Sequence, residues 1–121
     1  MKKILIAFDC DGTLVNNGAL DEHEIVANER IRHLLIILAS FKNTKILVWS
    51  GGGELWARQV TNSLGLKKYV DSYADKEYTK CPDCNKPCNH HVFNTKIKPD
   101  IAIDDIQSCE LGLINLIVKE K

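Results

Sequence analysis

Two pairs of carboxylates stand at the ends of apolar runs: Asp9 and Asp11 close Ile4-Leu5-Ile6-Ala7-Phe8, and Asp104 and Asp105 close Ile101-Ala102-Ile103. Acids crowded at the end of a buried segment repel one another unless a cation shares the site. Oxygen donors of this kind suit a hard divalent ion such as Mg2+. A third apolar run, Lys45 to Trp49, ends in Ser50-Gly51-Gly52-Gly53. There the Ser50 hydroxyl can donate, and the bare Gly51 amide can approach, two oxygens of a phosphoryl group. Lys98 stands directly before the strand that ends in Asp104, and Lys76 and Lys80 lie upstream of it.

A separate group of potential ligands lies in Cys81-Pro82-Asp83-Cys84-Asn85-Lys86-Pro87-Cys88-Asn89-His90-His91. Three thiolates and two imidazoles at this spacing suffice for a closed tetrahedral site, and their softness favours zinc or an iron-sulfur cluster over magnesium. Cys81, Cys84 and Cys88 are the expected zinc ligands, with His90 ahead of His91 as the fourth. Four protein ligands leave no position open for water, and a short polar loop has little core of its own. Residues 81–91 are therefore expected to be a structural Zn2+ loop. Cys10 and Cys109 fall outside this group and read as small buried hydrophobes; Cys10 faces away from the direction shared by Asp9 and Asp11.

Such residues need elements to carry them. Apolar runs at 4–8, 45–49 and 101–103 have strand length and the continuous hydrophobicity of strands buried on both faces of a parallel sheet. Less apolar segments at 69–74 and 113–118 complete the set, the first as an edge strand. Between them, Ile25, Val26, Ile31, Leu34, Leu35 and Leu38 predict one amphipathic helix over about 21–40, and Leu55, Trp56, Val60 and Leu64 predict a second over 54–66. Asn16-Asn17-Gly18 predicts a hairpin flap beside the first acids. Trp49 and Trp56 read as core residues, and His23 and His33 as helix-face residues.

The chain has 121 residues, with 16 acidic and 16 basic side chains. That length predicts a single domain over 1–121, and the balanced charge provides no global field for nucleic acid or an anionic membrane. The apolar stretch after Met1-Lys2-Lys3 is cut short by Asp9, which predicts neither a signal peptide nor a membrane span and so a cytoplasmic protein.

The run Phe8-Asp9-Cys10-Asp11-Gly12-Thr13, the strand ending in Ser50, and Lys98 with Asp104-Asp105 resemble, in order, the motifs of the haloacid dehalogenase (HAD) superfamily. The resemblance implies an α/β fold, a Rossmann-like three-layer sandwich around a central parallel sheet in strand order 5-4-1-2-3, without a cap domain. It also implies a Mg2+-dependent phosphatase in which Asp9 attacks phosphorus and forms an aspartyl-phosphate. Asp11 would act as acid and base, and Ser50 and Gly51 would hold phosphoryl oxygens. A lysine would be the compensating cation, with Lys98 first and Lys76 and Lys80 as competing candidates. Mg2+ would be bound by Asp9, the Asp11 carbonyl and the Asp104/Asp105 pair. An uncapped site admits a phosphorylated substrate as bulky as a polynucleotide end or a phosphoprotein, and also a nucleotide or sugar phosphate. A non-catalytic scaffold presenting the zinc loop to a protein or nucleic acid, and transfer to an acceptor other than water, are the competing readings.

Overall fold

The computed structural model describes residues 2–77, 95–106 and 111–119. Among these the chain runs β1 (Ile4–Asp9), α1 (Glu29–Ala39), β2 (Thr44–Ser50), α2 (Glu54–Ser63), β3 (Ser72–Asp75), β4 (Ile101–Asp104) and β5 (Ile114–Ile117). The strands form one sheet in the order β3-β2-β1-β4-β5, and all four pairings are parallel. This is the expected order, 5-4-1-2-3, read from the opposite edge.

The apolar runs occupy the centre because only there are both faces of a strand covered. On one face Ile6, Phe8, Ile46, Val48 and Ile103 pack with Leu35 of α1 and Ala57 and Val60 of α2. The alternate residues Ala7, Leu47, Trp49 and Ala102 form a second cluster with Leu111 on the other face. Phe8 pairs with Val48 and Ile103, so the carboxyl ends of β1, β2 and β4 finish at nearly one level. In a parallel sheet every strand delivers its last residue to the same rim.

The amino rim is closed by two other aspartates. Asp100 Oδ2 accepts from the Leu5 amide at 2.8 Å, and Asp71 Oδ2 accepts from the Ile46 amide at 2.8 Å. Each aspartate's own amide donates back to the same strand, to Leu5 O and Ile46 O respectively. Asp100→Ala leaves the Leu5 N–H without its partner and is expected to lower stability by about 1–3 kcal/mol. Chemical denaturation checks this.

The first predicted helix is shorter than its hydrophobic period suggests. Residues 22–24 make only a 3-10 turn, and α1 begins at Glu29. Extended pairing takes the intervening residues: Val15 bridges Ala27 in antiparallel fashion, Asn16 N donates to Val26 O, and Asn28 N donates to Leu14 O. Asn16 Oδ1 also accepts from the Val26 amide at 2.7 Å. These bonds close residues 16–26 into the flap expected from Asn16-Asn17-Gly18. Ile25 still packs against the core, so it satisfied the helical spacing without being helical.

Among the described residues, no helix is long and apolar enough to cross a membrane.

Candidate active site

The rim formed by the carboxyl ends of the strands gathers the acids. Asp9 ends β1 and Asp104 ends β4, and both are buried. Together with half-buried Asp105 they offer one carboxylate oxygen each, all within 4.8 Å of one another. Three oxygen donors at this separation fit a hard divalent cation.

Gly12 makes the cluster sterically feasible. It adopts φ +81°, and a Cβ there would stand 2.0 Å from Asp105 Oδ2. Glycine is thus required twice, for its backbone conformation and for the space Asp105 fills. Gly12→Ala is expected to push Asp105 out of the cluster and weaken divalent binding at least tenfold by calorimetric titration, with about 1–2 kcal/mol of added backbone strain.

Among the described residues, the cation that reaches the acids is Lys76, the residue directly after β3. Its Nζ donates to Asp9 Oδ1 at 3.2 Å and to Asp104 Oδ2, and it passes 6.0 Å from the centre of the Trp49 ring. The Lys76 amide donates to Ser50 O, continuing the β2–β3 ladder by one step. Its side chain therefore crosses the end of β2 to reach acids on β1 and β4. Lys98, expected in this role, is exposed and stands before the amino end of β4. The four-residue strand separates it from Asp104, a span of about 13 Å. Lys80 lies outside the described residues.

Burial dominates the electrostatics. It pushes the Asp9 carboxyl up to about 7, with nearby Lys76 opposing the shift and Asp104 and Asp105 adding to it. The Asp104 carboxyl is also raised by burial against the pull of Lys76. In cation-free protein, native Asp9 thus binds its proton more tightly than an unfolded aspartate, whose carboxyl titrates near about 3.9. The resulting stability contribution is complete below the unfolded value and is lost as pH rises through about 7. Asn mimics the neutral form, so in chelator Asp9→Asn should gain about 1–2 kcal/mol over wild type on going from pH 5.5 to pH 8. Denaturant melts of both proteins at the two pH values check the sign.

Around the acids, Thr13 Oγ1 donates to Asp9 Oδ2 at 3.3 Å. Ser50, buried at the end of β2, accepts from the Gly52 amide at 2.9 Å through its Oγ, which leaves the hydroxyl proton available to a ligand. Gly51 follows in the exposed turn, with open space where a side chain would stand. Asp75 Oδ1 accepts from the Glu54 amide and caps the start of α2. Asp11 is half-buried in the loop after β1, and both its oxygens accept from Trp56 Nε1 at 3.3 Å.

Cys10 belongs to the core, with Sγ 3.6 Å from Trp49 O. Burial, then the neighbouring Asp9 and Asp11, push its thiol up, so it stays protonated and unreactive. The candidate zinc ligands Cys81, Cys84, Cys88, His90 and His91 lie outside the described residues.

Trp56 packs against the core, as its spacing on α2 predicts; what that spacing does not report is the indole N–H donated to Asp11. Lys98 was expected ahead of Lys76 as the compensating cation. The signal that selects Lys76 is its position one residue past a strand, where the carboxyl rim begins.

No family model and no curated protein sequence matches the chain. Among solved structures, a chain from the structure of the Pnkp1/Rnl/Hen1 complex is similar, with a TM-score of 0.58 and 17% identity over 98% of this chain and 46% of that chain. The likeness is one of fold, and this chain spans less than half the length of its neighbour.

Proposed function

We propose that the protein is a Mg2+-dependent phosphatase of the HAD type, acting on a phosphate monoester. The observation that carries this reading is the convergence of Asp9, Asp104 and Asp105 within 4.8 Å of one another, beside Lys76. Asp9, Asp104, Asp105 and the Asp11 carbonyl would hold the Mg2+. Bound there, the ion neutralises charge that would otherwise keep a phosphoryl dianion away from a carboxylate.

The chain's own groups divide the remaining work. Ser50 and the Gly51 amide hold phosphoryl oxygens, and Lys76 compensates charge on the nucleophile and the phosphate. An Asp9 oxygen attacks phosphorus in line, forming one P–O bond as the ester P–O bond breaks. Asp11 gives its proton to the departing oxygen. Asp11, now a carboxylate, then takes a proton from water as that water attacks the phosphorus of the aspartyl-phosphate, releasing inorganic phosphate and free Asp9.

Residues 81–91 are proposed as a structural Zn2+ loop. Protein purified without added zinc should carry about one equivalent of a thiolate-binding metal.

The test of the activity is release of phosphate from a generic aryl phosphate by purified protein. Release dependent on added Mg2+ and abolished by EDTA is expected. Hydrolysis absent across divalent metals and pH would overturn the proposal in favour of a binding scaffold.

A further inference from the structure

We infer that Trp56 is a positioning residue, holding the Asp11 carboxylate in the orientation from which it delivers its proton; the inference rests on the phosphatase reading above. Trp56 lies in the first turn of α2, half-buried. Its indole N–H is shared between Oδ1 and Oδ2 of Asp11, at 3.3 Å from each. A donor shared by both oxygens fixes the plane of the carboxylate, while each oxygen keeps lone pairs for a proton.

The choice of side chain matters chemically. Indole N–H donates only and does not titrate in the working range, so it steadies Asp11 in either protonation state without competing for the proton. A histidine in its place would itself exchange protons near neutrality. The turn after β2 leaves room for the ring: a Cβ on Gly52 would come within 3.5 Å of Trp56 Cδ1 and 3.3 Å of Ser50 Oγ. Trp56 therefore links the turn that holds the phosphoryl group to the residue that protonates the leaving oxygen. General-acid help matters most where the leaving oxygen is basic, so a misplaced Asp11 penalises alkyl esters and spares activated aryl esters.

The test measures kcat for a series of aryl and alkyl phosphates with wild type, Trp56→Phe, Asp11→Ala and the double variant. Trp56→Phe keeps an aromatic ring and removes the donor. It is expected to lose roughly 10- to 100-fold on alkyl phosphates and less than about threefold on the most activated aryl phosphate. The Trp56 change should cause no further loss in the Asp11→Ala background. Equal loss on every leaving group, or a loss that persists without Asp11, would overturn the inference while leaving the phosphatase reading intact. Absence of hydrolysis by wild type would overturn both. An independent check uses the indole N–H NMR resonances: Asp11→Ala should shift that of Trp56 and leave that of Trp49 in place. An unmoved Trp56 resonance contradicts the contact itself.

Discussion

Asp9→Asn is expected to abolish phosphate release, with a loss on the order of 10^4-fold or more in kcat, while the protein stays folded. The amide keeps the shape of the side chain but supplies no anionic oxygen to attack phosphorus. Because burial raises the Asp9 carboxyl to about 7, exchange for a neutral isostere removes a desolvation cost and should not unfold the domain. Loss of activity with retained or increased stability is the signature that separates a nucleophile from a scaffold residue. Thermal melts in chelator and phosphate release with Mg2+, on the same preparations, measure both halves.

Lys76→Met carries the second large effect. Its ammonium touches acids from two strands, Asp9 and Asp104, from a nearly buried position. In the proposed reaction, removing it would strip charge compensation from the nucleophile and the incoming phosphate, which should cost about 10^2- to 10^3-fold in kcat. In chelator, breaking the buried pairing should also lower stability by about 3–5 kcal/mol. Added Mg2+ should restore much of that stability, because three uncompensated carboxylates bind a divalent ion more tightly than three that share an ammonium. Lys98→Met is the matched control, since Lys98 is exposed and precedes β4 at the opposite rim; its turnover should stay within about twofold.

The contrast between these lysines shows what sequence carries. The strands were legible because Ile4 to Phe8, Ile46 to Trp49 and Ile101 to Ile103 are too continuously apolar to lie anywhere but the centre of a covered sheet. In a parallel sheet their last residues share a rim, which brings Asp9, Ser50 and Asp104 to one end. A lysine obeys no such pattern. Lys98 sits beside a strand in sequence but at its entrance, whereas Lys76 reaches the acids from the edge strand across the end of β2, a path set by register. The late start of α1 was hidden for a similar reason: Ile25 fits both a helical period and a core-facing extended turn, and the long-range bonds of Asn16 decide between them. Trp56 was assigned to packing because hydrophobic spacing reports the ring and not the N–H at its edge.

The proposed reaction passes through a covalent phosphoryl group on Asp9. Asp11→Asn protein, which in the proposed reaction should form the intermediate from an activated aryl phosphate but hydrolyse it slowly, is mixed with that ester and Mg2+, quenched in acid and reduced with borohydride. Peptide mass spectrometry then locates any aspartate converted to homoserine. Conversion at Asp9, dependent on both Mg2+ and the ester, is the predicted result; conversion at another aspartate, or none while the aryl alcohol is released in a stoichiometric burst, would contradict it.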